Sequence, residues 1–552
     1  MNGADLIARI LQREGVEYLP AFPHSDLIDA AAKVGIRPII VRQERHALHM
    51  ADGFARVTGG QRLCATTVQY GPGSENALGA LAQCYGDNVP VLHIPGGYPR
   101  AEQGTDPNFN AVRAAAGFTK RAEMVFQPER IVPMMRNAFA MLRNGRPGPV
   151  MLEVPIDVFA ADADPDWLDG YTASSRSSPV ACRDELIELA GLIRSARYPV
   201  IVAGQGILQA GATQHLIELA EQTQAPVMTT LNGKSAFPEN HPLALGCGGG
   251  ARPDYLVEAL DQADVILGLG TSLTRSDYIT PLPVDGVQFA QLTNWEGDIS
   301  KDYPVSLGLI GDARASLVVL NQILTEQTED PTGGRSSIAD KLAESRRGFE
   351  DDWQSLLTSD ETPINPYRVL HELNQAVDPA KTILTHEAGS PRDQVTPFWQ
   401  CSEPHTYIGW GKTTQLGMSM GLIQGAKLAR PDMHCINIMG DAAIGMTGMD
   451  FETAVRNRIG TLTIVLKNSV MGGYTDYHPA AAERFAIHEL GGNYAELARS
   501  LGGHGERVAM PDEIGPAIQR ALKQTAAGTP ALLECITSEE KRMPRKLPGR
   551  LA

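Results

Sequence analysis

The sequence predicts an α/β protein of three doubly wound parallel-sheet domains, and three observations carry that prediction. Short apolar runs without polar alternation recur at residues 200–204 (VIVAG), 265–270 (VILGLG), 434–439 (HCINIM) and 462–466 (LTIVL). Such runs suit strands buried on both faces. Helical patterns separate them, as in residues 45–58 after the run at 37–41, and 450–458 after the run at 434–439. Finally, two stretches rich in turn formers, 160–184 and 326–337, lack apolar periodicity and read as linkers. They divide the chain into segments 1–165, 185–325 and 345–540, and 552 residues is too many for one core.

Composition excludes several classes of function. Hydrophobic residues make up 43% and charged residues 20%, as in ordinary globular proteins. The net charge of −16 leaves no basic stripe for nucleic acid. The one basic cluster, residues 541–550, is short and terminal and reads as a solvated tail. No apolar run is long enough to span a bilayer. The start of the chain enters an amphipathic helical pattern with no signal-like h-region. The seven cysteines are scattered, odd in number and without a CxxC pair, as in a reduced, cytoplasmic protein.

Chemistry concentrates in the third segment. The strand ending at Met439 runs into Gly440-Asp441-Ala442-Ala443, and the next strand ends at Lys467-Asn468-Ser469-Val470-Met471-Gly472. In doubly wound sheets ligands sit beyond the carboxyl ends of the strands, where exposed amides can hold a diphosphate. A carboxylate and an amide oxygen at neighbouring strand ends are hard ligands suited to Mg²⁺. An Asp at a strand end also serves as a helix cap, so spacing alone leaves both readings open.

Gly440-Asp441, followed by Asn468 and Gly472, resembles the thiamine diphosphate signature of the acetolactate synthase and pyruvate oxidase superfamily. The resemblance implies that Asp441, Asn468 and the Val470 carbonyl hold the metal. It also implies that the amides of Ala442, Ala443 and Met471 approach the diphosphate. Ala442 departs from the family's usual Gly-Asp-Gly, a change that a backbone donor tolerates. Leu416, in Gly411-Lys412-Thr413-Thr414-Gln415-Leu416-Gly417, matches the apolar residue that bends the cofactor, with the Thr414 backbone accepting from its amino group. Gly389 and Ser390 match a loop near the diphosphate.

The same resemblance calls for an activating acid in the first segment. Such an acid hydrogen-bonds the cofactor's aminopyrimidine from an apolar setting. Glu44 opens a stretch similar to the family's E-x-x-A-x-x-M-A-x-G-x-A-R-x-T-G helix. Taken alone, a Glu at a helix start is a partner for the helix dipole. Further matches are Gly71-Pro72-Gly73 with Asn76, Asp87-Asn88-Val89-Pro90 and Gly104-Thr105-Asp106. In the family the acid and the metal site come from different subunits, which implies a homodimer or homotetramer. The resemblance also names the domains: pyrimidine-binding, central and diphosphate-binding.

Substrate residues are less marked. His24, Gln69, Tyr70, Phe109 and Asn110 are candidates for the pocket wall. Ala21-Phe22-Pro23-His24 replaces a usual Gly-x-Pro-Gly, and Gly97 stands where acetolactate synthases carry glutamine. The expected activity is decarboxylation of a 2-keto acid with carboligation to a second carbonyl. A non-ligating 2-keto acid or acyl-CoA decarboxylase is the alternative. A dinucleotide-dependent oxidoreductase lacks its strand-linked G-x-G-x-x-G, and the intact Glu44, Asp441 and Asn468 speak against a non-catalytic homologue. The central segment resembles one that binds FAD or ADP in this superfamily, with Arg275 as a candidate phosphate contact, and the sequence does not choose between the two nucleotides.

Overall fold

The structure is a computed structural model that describes residues 1–326, 332, 335 and 337–545. Most of the stretch at 326–337 and half of the basic end at 541–550 therefore fall outside the described residues. The central and third segments each form one parallel sheet, and the first segment forms two. In the central segment six strands run in the order Ala244–Gly248, Val227–Thr230, Pro199–Ala203, Val265–Leu269, Gln288–Thr293, Val305–Ile310. The third segment also has six, in the order Tyr407–Ile408, Thr382–His386, His434–Gly440, Leu462–Lys467, Ala531–Ile536, His504–Val508. Every pairing within both sheets is parallel.

The first segment pairs Tyr18–Ala21 with Arg37–Ile40 and groups shorter strands around Val150–Pro155. A single bridge from Ala21 to Thr67 joins the two parts. Residues 89–94 (VPVLHI) are mostly apolar yet hold only the two-residue strand Leu92–His93. Prolines at 90 and 95 each lack a ladder donor, and pairing resumes at Gly96–Gly97 against Val154–Pro155. Stretch 160–184 is less featureless than its composition suggests: Pro165–Leu168 forms a short helical turn, and Leu168 and Tyr171 join the first core.

Two helix boundaries differ from expectation. Glu44 is itself the first residue of Glu44–Val57, because Gln43 is still extended (φ −152°, ψ 146°). The helix expected at 450–458 is Phe451–Asn457, and a separate helix, Asp441–Thr447, precedes it. Gly445 and Gly448 weaken continuous helix here, and the tighter turn Gly448–Asp450 separates the two.

The first and third units meet along Glu44–Val57 and Ser419–Ala429, whose side chains share one apolar core. Their backbones touch at glycines. A Cβ on Gly53 would overlap the Leu422 carbonyl, and one on Gly425 would overlap that of Met50. This contact fixes the placement of the two candidate half-sites within one chain.

Candidate active site

Beyond the strand ends of the third sheet lies a cavity of about 420 Å³, within the range of small-molecule sites. Gly389, Ser390, Thr414, Leu416, Gly440, Asp441, Ala442, Ala443, Asn468, Val470, Met471 and Gly472 all line it. These are all of the third-segment residues singled out in the sequence. The parallel register of His434–Gly440 with Leu462–Lys467 sets Asp441 beside Asn468.

Asp441 is held tightly. Its Oδ2 accepts the Ser469 amide at 2.8 Å and its Oδ1 that of Ala442 at 3.0 Å. Burial pushes its carboxyl pKa up, and these amides oppose the rise. Ser469 takes a left-handed φ of 60°, which turns the chain so that the Asn468 Oδ1 accepts the Val470 amide at 3.1 Å. Gly472 permits the close approach here: a Cβ would lie 3.3 Å from Asn468 Nδ2 and 3.5 Å from Ser390 Oγ.

Two helices, Ser390–Phe398 and Asp441–Thr447, begin at this cavity, and neither start has a side-chain cap. The first amides of a helix have no backbone acceptor within it, which suits such a start to an anionic ligand. Two expected donors are taken, the Ala442 amide by Asp441 Oδ1 and the Met471 amide by a carbonyl. The Met471 amide donates to the His488 carbonyl at 2.8 Å, because residues 486–490 fold back along 469–471. Met471 lines the cavity without offering its amide. The Val470 carbonyl accepts from Gly472 at 2.9 Å and keeps a second lone pair.

Among the described residues no group of three or more His, Cys, Asp and Glu could hold a metal. Asp441 is the one anionic side chain of the proposed ligand set. Such a sparse set suits a hard cation that takes the rest of its shell from phosphate and water.

The first-segment residues form a second cluster. Glu44 is 8% exposed and its Oε2 accepts from Asn76 Nδ2 at 3.2 Å. Gly71, at φ 63°, leads into the helix Pro72–Gly86, and a Cβ on Gly73 would sit 3.7 Å from Glu44 Oε1. Gln69 packs under the same turn, and the ring of Tyr70 stands 4.9 Å from that of Tyr98. None of these residues lines the cavity of Asp441. The structure thus gathers each cluster, and the first-segment cluster does not line the cavity of the third.

Three substrate candidates have other surroundings. Asn110 caps the helix Ala111–Ala115 by accepting from the Arg113 amide at 2.8 Å. Phe109 packs against the core between the first and third units. His24 is exposed on the loop before Leu27–Lys33. Arg275 does not line the central cavity; its guanidinium lies 4.5 Å over the Tyr303 ring. That cavity, beyond the ends of Pro199–Ala203 and Val265–Leu269, measures about 100 Å³ and is lined by Gln205, Thr271, Ser272 and Asp312 among others. Lys412 reaches it and donates to Ser272 Oγ at 3.1 Å, with burial lowering its pKa to about 8.

All three segments match one enzyme family. Residues 1–120 match its N-terminal thiamine pyrophosphate binding domain, 186–320 its central domain and 387–535 its C-terminal thiamine pyrophosphate binding domain. The chain belongs to the thiamine pyrophosphate enzymes. Relatives extend over the full length. A probable acetolactate synthase large subunit of Methanocaldococcus jannaschii is 29% identical, covering 100% of this chain and 94% of its own. The acetolactate synthase large subunit of Corynebacterium glutamicum is 28% identical, covering 98% and 88%. A sulfoacetaldehyde acetyltransferase of Alcaligenes xylosoxydans is also 28% identical, covering 93% and 89%. This is a thiamine diphosphate-dependent enzyme of the acetolactate synthase type. No helix of the described residues is long and apolar enough to cross a membrane.

Sequence reasoning missed part of this enzyme's cavity wall. Arg392 lines it, paired with Asp393 at 2.9 Å and lying 4.5 Å over the ring of Tyr278 from the central segment. Two charged residues directly after Ser390-Pro391 were a visible signal. Tyr278 gave none, because only the packing of the central unit brings it there.

Proposed function

We propose that this enzyme uses thiamine diphosphate and Mg²⁺ to decarboxylate a 2-keto acid and join the retained fragment to a second carbonyl compound. The observation that carries this reading is the convergence of the third-segment residues on one cavity, around an Asp441 fixed by two amides. When bound, thiamine diphosphate supplies the electron sink for carbon–carbon bond cleavage.

The chain's own residues have distinct tasks. Asp441, the Asn468 amide oxygen and the Val470 carbonyl hold Mg²⁺ together with phosphate oxygens. The Ala443 amide and the uncapped start at Ser390 take the diphosphate, while the Ala442 amide stays on Asp441. Leu416 packs against the core that includes Met420 and Ala443 and offers a firm apolar wedge, while the Thr414 backbone accepts from the cofactor's amino group. Glu44 holds and returns a proton at the aminopyrimidine, steadied by Asn76. Because Glu44 stands outside the cavity of its own Asp441, a second copy of the chain supplies it.

One feature favours simple decarboxylation as the second reading. At Gly97 no side chain enters the first-segment wall, and a Cβ there would lie 3.0 Å from both Cγ and Oε1 of Glu153. The wall that would face an acceptor therefore differs from the family pattern. Product analysis with pyruvate alone, then with pyruvate and an added aldehyde, tests the proposal. Carboligation products support it; free aldehyde as sole product in both incubations contradicts it and favours the second reading.

A further inference from the structure

The residues on either side of Glu44 grip the far end of the helix that starts at Asp441. Met446 lies in the last turn of Asp441–Thr447. Its carbonyl accepts from Arg45 Nη2 at 2.9 Å and from Gln43 Nε2 at 3.2 Å. Arg45 Nε also donates to Gln43 Oε1 at 2.9 Å, so the two side chains brace each other. Just before them, the Arg42 amide donates to Asp450 Oδ1 at 2.8 Å. The last carbonyls of a helix lack partners within it and carry partial negative charge, which makes a guanidinium there favourable.

A seven-residue helix spans about 10 Å and moves as a unit. What holds Met446 therefore holds Asp441. The loop bearing Thr414 and Leu416 rests on the same end: a Cβ on Gly417 would lie 3.0 Å from Met446 Cβ. That loop is tied again to the Glu44–Val57 helix through His49 Nε2 and Gln415 Oε1, 2.8 Å apart. Burial lowers the His49 pKa to about 3, so this contact is made by a neutral imidazole.

We propose that Arg45 and Gln43 are positioning residues for Asp441. The inference rests on the shared-site reading, in which Glu44 and Asp441 of one chain serve different sites. On that basis, the chain that lends Glu44 to one site steadies the metal helix of the other through the neighbours of Glu44.

Mixed dimers isolate the effect. One chain carries Glu44→Gln with Arg45→Met, its partner Asp441→Asn, and each chain has a different affinity tag. The one intact site takes Glu44 from the second chain and Asp441 from the first. Arg45→Met then reaches that site only through Met446. Calorimetric titration with Mg²⁺ and thiamine diphosphate should show binding about three- to tenfold weaker than in the same hybrid with Arg45 restored. Arg45→Lys should recover most of the loss, since it keeps a cationic donor at the helix end. Unchanged binding in a catalytically active hybrid overturns the clamp alone. A hybrid with Arg45 intact that has no activity at all overturns the shared-site reading beneath it.

Discussion

Asp441 and Ser469 are joined across two neighbouring strand ends, with the Ser469 amide 2.8 Å from Asp441 Oδ2. The carboxylate is therefore placed before any ligand arrives, and its negative charge faces the cavity. Asp441→Asn keeps the shape and removes the charge. Affinity for thiamine diphosphate in the presence of Mg²⁺ should fall by about 100-fold or more, measured by calorimetry. Undiminished affinity would place the metal elsewhere.

Glu44 should separate binding from turnover. Glu44→Gln retains a group that can meet Asn76 but no longer exchanges a proton. Turnover should drop by about 10²-fold or more, while calorimetric cofactor affinity stays within a few-fold of wild type. Full activity in this variant contradicts the role assigned to Glu44.

The glycine contact between the first and third units sets a stability prediction. Gly53→Ala forces a methyl into the Leu422 carbonyl and should destabilise the fold by about 2 kcal/mol or more. Gly348, inside the helix Ile338–Leu357 with open space around its Cβ position, is the control. Gly348→Ala should raise stability by about 0.5–1 kcal/mol. Thermal unfolding of both variants checks the opposite signs, and a stable Gly53→Ala would refute the close contact.

Glu153 gives a pH dependence. It is 3% exposed, its Oε2 has no hydrogen-bond partner, and burial pushes its pKa from 4.5 to about 7. Between those values the unfolded chain has lost a proton that the folded state retains. Its contribution therefore turns less favourable as pH rises through that window. Glu153→Gln should raise the melting temperature relative to wild type more at pH 8 than at pH 5. An equal difference at both pH values contradicts the assignment.

The architecture was legible because buried parallel strands leave apolar runs without alternation, as at 200–204 and 434–439. The clustering of the third-segment residues was legible for a related reason: Asp441, Asn468 and Gly472 lie at adjacent strand ends, so local sequence maps onto local space. Longer-range effects were not. Nothing near Met471 shows that His488 folds back to take its amide. Likewise, the sequence around Asn110 does not distinguish a helix cap from a pocket wall. The contact with Met446 was equally hidden, since it joins two side chains to a backbone carbonyl about 400 residues away.

The claim that the site is shared between two chains is tested most directly by mixing two inactive variants. Glu44→Gln and Asp441→Asn chains are combined, unfolded and refolded together, and assayed with pyruvate against each variant refolded alone. If each site takes Glu44 from one chain and Asp441 from the other, every mixed dimer holds one intact site. Random pairing then restores roughly a quarter of wild-type activity. No activity above the separate variants, in a sample whose mixed dimers are confirmed by differential tags, would contradict the account.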